Sequence, residues 1–131
     1  MATTTATLTL SSSDLTGDAL SLSKTATLTK ANSVTGLDQT TGVARKIYTQ
    51  NTIDTLLAEG DYTDDKAHKV YISNPSTTTS EEFLITIGSH AVGRIYTGAC
   101  AFIPFDGSAD FKITPSVATA MTLEYMVIFE A

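Results

Sequence analysis

Residues 92–115 read VGRIYTGACAFIPFDGSADFKITP, and the fold class turns on them. From Ala99 to Phe105 the side chains alternate, with Cys100, Phe102 and Pro104 on one face and Ala101, Ile103 and Phe105 on the other, which is the two-residue period of an extended chain. Both faces are largely apolar, so this strand is expected to be buried on both sides or covered by a neighbouring subunit. Asp106-Gly107 tolerates positive φ in a two-residue hairpin loop, and Asp110 to Ile113 resumes with Phe111 and Ile113 on a single face. The stretch thus predicts two antiparallel strands joined by a hairpin turn at Asp106 and Gly107.

The flanking segments carry the same period. Val70 and Ile72 alternate up to a turn at Asn74-Pro75, and Phe83, Ile85 and Ile87 alternate up to Gly88, which predicts a second pair of adjacent antiparallel strands. Near the C-terminus Leu123, Tyr125, Val127 and Phe129 face one way and Met126 and Ile128 the other. A strand apolar on both faces recruits other chains when it sits at a free edge, so Thr122 to Glu130 is expected mid-sheet or inside an oligomer. Val43 to Gln50 reads as a strand with Val43, Arg45 and Ile47 on one face. A single helix is expected over Asn51 to Glu59: Asn51 caps, Asp54 favours the first turn, Ile53, Leu56 and Leu57 form one apolar face, and Gly60 stops it.

Residues 1–42 differ in composition, being rich in Thr, Ser and Gly with Leu as the main large apolar residue. The hexamer at 5–10, TATLTL, returns at 25–30 as TATLTK, too few copies for a solenoid. Two strands are expected, Ala6 to Leu10 and Ala19 to Thr29, joined by a turn around Asp14 to Asp18. Their apolar residues are Leu and Ala only, so this arm is expected to lie on the rest of the domain or on a neighbouring chain. Residues 32–42, with Gly36 and Gly42, read as a loop.

At 131 residues the chain is expected to be one domain spanning 1–131, with 1–42 as its arm. Charged residues make up 17%, below the roughly 25% typical of soluble domains. A Thr-rich chain lacking long helical periodicity points to an all-β fold, an antiparallel β-sandwich of jelly-roll-like or immunoglobulin-like type with one short helix. The formal net charge of −6 and the scattered basic residues argue against a nucleic-acid partner. Neither a secretory signal nor an apolar run of membrane-spanning length is visible, so a protein made and kept soluble in a cytoplasm is expected. The single cysteine, Cys100, excludes an intramolecular disulfide and, among apolar neighbours, reads as a buried inert thiol.

The sequence offers no GxSxG elbow, phosphate-cradling glycine loop, HExxH or CxxC pair, so no enzymatic activity and no cofactor are expected. Asp61, Asp64 and Asp65 cluster but lack the alternating spacing of a calcium loop, and they read as a solvated turn with no metal. His68 and His90 each lack a ligand-spaced partner.

Four segments carry a family resemblance: LDQTTGVARKIYT at 37–49, KVYISNPSTTTSEEFLITIG at 69–88, GRIYTGACAFIPFDGSADFKITPS at 93–116 and MTLEYMVIFEA at 121–131. Together they resemble the small structural proteins of tailed bacteriophages, marine and cyanobacterial phages in particular. The most specific part is Gly93-Arg94, a strand, then Phe102-Ile103-Pro104-Phe105-Asp106-Gly107, closed by Glu124-Tyr125-Met126. Members of that group carry Trp where this chain has Phe105 or Cys100, and this chain has no Trp. The resemblance implies a β-sandwich on the virion head surface, a capsid decoration (cement) protein bridging major capsid subunits. The alternative is a tail or fibre module binding host surface glycans through grouped aromatics such as Tyr48, Tyr62 and Tyr71. Because two strands are apolar on both faces, a closed homo-oligomer is expected, a trimer by the local three-folds of an icosahedral shell. Its contact candidates are Arg45, Arg94, Phe102, Phe105, Tyr125 and Phe129.

Overall fold

A computed structural model describes residues 2–131. Among the described residues there are eleven strands and no helix: β1 (Thr5–Ser12), β2 (Leu20–Thr27), β3 (Gln39–Thr40), β4 (Ala44–Tyr48), β5 (Asp54–Leu57), β6 (His68–Ser73), β7 (Phe83–Ile87), β8 (His90–Ile95), β9 (Cys100–Phe105), β10 (Phe111–Pro115) and β11 (Met121–Phe129). Every pairing is antiparallel. The chain divides into two compact units, residues 1–38 and 39–131.

The first unit is a two-stranded ribbon. β1 and β2 pair without interruption from Thr5↔Thr27 to Ser12↔Leu20, and the turn between them is organised by Ser12, whose hydroxyl donates to Asp14 and accepts the Leu15 N–H. Beyond the ribbon a bridge joins Thr29 to Gly36, and Lys30 pairs with Asp38 at 2.8 Å. Gly36 has no side chain because a Cβ there would run into the Ala2 carbonyl.

The second unit holds a four-stranded and a five-stranded sheet packed face to face. One sheet has the order β5-β10-β7-β8. In the other, β9-β6-β11 continues to β3 and β4, which line the same side of β11 end to end. The sheets share one core: Tyr48 on β4 meets Phe83 on β7 at 5.9 Å, and Phe105 on β9 meets Phe111 on β10 edge-to-face at 5.9 Å.

The pairings are nested. β7 pairs with β8, β6 with β9, β5 with β10 and β4 with β11. Residues 44–129 are thus one long antiparallel ribbon whose tip is Gly88-Ser89, folded over so that successive segments alternate between sheets. Gly88 takes φ +61° while Ser89 keeps a negative φ, the pattern of a two-residue loop with glycine first.

Three sequence expectations change here. β9 and β10 do not form a hairpin: they lie in different sheets, and Asp106-Gly107 is a crossover between them. Gly107 does take positive φ, +89°, but it does so where its backbone passes Tyr62: a Cβ would lie 2.5 Å from the Tyr62 carbonyl oxygen. β6 and β7 are likewise in opposite sheets and not adjacent. The helix over Asn51 to Glu59 is absent, and its centre is β5. Asp54 is not a cap, since its carboxylate accepts from Lys46 at 2.6 Å and from the Tyr48 hydroxyl at 3.0 Å. Leu57 enters the core and Ile53 stays exposed, so the edge of β10 outweighs a local helix signal that is only two turns long. β11 lies mid-sheet between β6 and β3/β4, as its two apolar faces require.

Candidate assembly face

The register fixes which residues share the outer surface of the β9-β6-β11-β4 sheet. His68, Val70 and Ile72 point into the core, so Lys69, Tyr71 and Ser73 point out. Two cross-strand rows follow. Phe102, Tyr71 and Met126 lie side by side across three strands. Beside them run Cys100, Ser73, Glu124 and Arg45. Glu124 ties the rows together, accepting from Arg45 Nη2 at 3.1 Å and from the Tyr71 hydroxyl at 3.3 Å. Ile47 shares this parity on β4 and is exposed, and Phe102 is 43% exposed. The result is a largely apolar strip bordered by one ion pair.

Only Arg45 and Phe102 of the six contact candidates lie on this face. Arg94 is on the outer side of the other sheet, opposite Leu84, bound to Glu82 at 2.7 Å. Phe105, Tyr125 and Phe129 turn inward. Phe105 is 5% exposed, Tyr125 packs against the core, and Phe129 meets Tyr62 edge-to-face at 5.2 Å. Cys100 is exposed and not buried, because it shares the parity of Phe102 on the outer face of an edge strand. Tyr71, Met126 and Glu124 join this face without standing out in the sequence. Their signal was parity alone: Tyr71 stands between two core residues, so it had to face away from them.

His68 is fully buried in a cage of Tyr62, Phe105 and Phe129. With its proton on Nε2 it donates to the Thr63 carbonyl at 2.8 Å, and Nδ1 accepts the Glu130 N–H at 3.4 Å. Both ring nitrogens are therefore engaged. A shallow cleft of about 350 Å³ lies over it, bounded by Lys66, Lys69, Ile87, Pro104 and Asp106. The hydroxyl and then the N–H of Ser108 hold the Asp106 carboxyl below the usual carboxylate range. Among the described residues no three His, Cys, Asp or Glu side chains converge on a point that could hold a metal, and no helix is long and apolar enough to cross a membrane.

No protein-family model matches the chain, and no curated protein or solved structure does either.

Proposed function

We propose that this protein is a virion structural protein of a tailed bacteriophage, a capsid decoration protein that bridges major capsid subunits on the head surface. The observation that carries the proposal is the outward-facing strip of Phe102, Tyr71 and Met126 with the Arg45–Glu124 pair at its border. A broad sheet surface with apolar content and few charges suits contact with another protein surface more than capture of a small molecule. The nested strand order adds to this, since eight strands folded as one ribbon into two sheets match the jelly-roll arrangement, which viral capsid domains use.

On a shell, many copies act together and modest affinity per copy suffices. A homotrimer at the local three-fold axes is the assembly proposed, with the major capsid protein as the other partner and no nucleic acid or cofactor involved. The glycan-binding alternative gains nothing from the tyrosines. Tyr48 is buried, Tyr62 is held among His68, Phe105 and Phe129, and Tyr71 lies on the sheet face, so they do not group on a loop. The test is copy number, read from a quantitative protein gel of purified virions. Hundreds of copies per particle support a head decoration protein; a dozen or fewer overturn it.

A further inference from the structure

The jelly-roll unit is closed to strand addition at every sheet edge, while the N-terminal ribbon is open at both. β9 carries Pro104, which has no N–H to offer a further strand. β8 has an extra residue, Val92, between the pairs Ile85↔Gly93 and Thr86↔Ala91. β5 has an extra residue, Leu56, between Leu57 and Thr55. The fourth edge is split into β3 and β4, two short pieces separated by Gly42 at positive φ. Proline, bulges and short strands are the devices that stop sheets from joining edge to edge. β1 and β2 have none of them: eight residues each, no proline, no bulge, and Lys24 as their only charged residue.

The ribbon is also sharply two-faced. Thr5, Thr7, Thr9 and Ser11 oppose Thr27, Thr25, Ser23 and Ser21 on one side, where the Thr7 and Thr25 hydroxyls hydrogen-bond at 2.8 Å. Ala6, Leu8, Leu10 and Ser12 oppose Ala26, Lys24, Leu22 and Leu20 on the other. Leu8, Leu10 and Leu22 are 57%, 45% and 47% exposed. An isolated two-stranded ribbon is marginal in water and gains stability from further strands or a covered apolar face.

We infer that the ribbon is the element through which copies of this chain associate, β1 of one copy pairing with β2 of the next so that the leucine face turns inward. A second copy is the fitting occupant because the pairing inside the ribbon already sets like against like. Another ribbon edge offers the same alternation, and Lys24, the one charge on either strand, stands opposite an uncharged residue as it does within the ribbon. Closure of such ribbons into a ring leaves no free edge, with Thr and Ser to the water and Leu within. Lys24 faces inward beside the small Ala6–Ala26 row, which leaves room for its stem to run toward the open end. The number of copies, three, rests on the trimer proposed above; the association itself does not.

Light scattering of the full-length chain at micromolar concentration is the test, with Leu10→Lys/Leu22→Lys as the disrupting variant and Thr9→Lys as its opposite-face control. The expected result is a mass three times the 13.8 kDa of one chain for wild type and for Thr9→Lys, and a single-chain mass for the double variant with its tyrosine near-UV dichroism unchanged. Amide exchange of wild type over a dilution series is the second measurement: protection of residues 5–12 and 20–27 should fall on dilution. A monomeric wild type, a double variant that stays assembled, or protection that ignores concentration would each overturn the inference. None of these alters the copy number on virions, so failure here is separable from failure of the decoration role.

Discussion

Asn74 is the most informative position to perturb. It is fully buried at the end of β6, and its amide is spent completely. Nδ2 donates to the Glu81 carbonyl at 2.8 Å and to the Ile95 carbonyl at 3.2 Å, and Oδ1 accepts the Ser76 N–H at 3.1 Å. A flipped amide would set oxygen against two carbonyl oxygens, so the network fixes the orientation. Its backbone joins the same knot, donating to Ala99 and accepting from Gly98. One side chain thus links the end of β6, the loop before β7 and the end of β8, across both sheets.

Asn74→Ala removes three hydrogen bonds at about 1 kcal/mol each, so a loss of about 3 kcal/mol is expected. For a unit of this size that lowers Tm by roughly 12–24 °C. Asn74→Asp keeps the shape but places a carboxylate oxygen where Nδ2 faced two carbonyls, burying an unpaired charge, and should cost more than alanine at neutral pH. With no Trp in the chain, urea and thermal melts followed by far-UV circular dichroism are the assay. If Asn74→Asp proves as stable as Asn74→Ala, or if alanine costs less than about 1 kcal/mol, Asn74 is not the clamp described.

Further outcomes follow from the same geometry. Phe111→Ala, at a fully buried ring, should cost about 3–5 kcal/mol, whereas Phe102→Ala on the outer face should stay within about 0.5 kcal/mol of wild type; equal losses in denaturant melts would refute the assigned parity. Gly107→Ala should destabilise more than Gly60→Ala, since both glycines have positive φ but only at Gly107 does a Cβ meet a carbonyl oxygen; matched urea midpoints would contradict this. Tm should fall at both pH extremes. The carboxyls of Asp38, Asp106 and Asp110 are held low by Lys30, Ser108 and the Glu59 N–H in turn, so the stability they lend is present above about pH 4 and is lost as pH falls. Burial, with Asp54 beside it, raises the Tyr48 phenol, so its contribution is intact below about pH 10 and is lost as pH rises further. A Tm profile flat from acid to alkali would reject both signs.

Period and parity were legible in the sequence because they are local. Strict alternation gave β6, β7, β10 and β11 and their core residues, and the two apolar faces of the last strand required its central place. The Thr/Leu hexamers gave both strands of the ribbon. Partner choice was not legible, because Asp106-Gly107 and Gly88-Ser89 are both competent for a tight turn, and local chemistry does not say which one closes a hairpin. Only the packing of Phe105 against Phe111 across two sheets, and the close passage of the Gly107 backbone by Tyr62, made the first a crossover. Residues 51–59 show the same limit: a two-turn helix signal lost to the hydrogen-bonding edge of β10 and to Asp54 binding Lys46 and Tyr48. The candidate face needed the register as well. Tyr71, Met126 and Phe102 lie 55 positions apart in sequence at the extremes, and they become one strip only when β6 is set between β9 and β11.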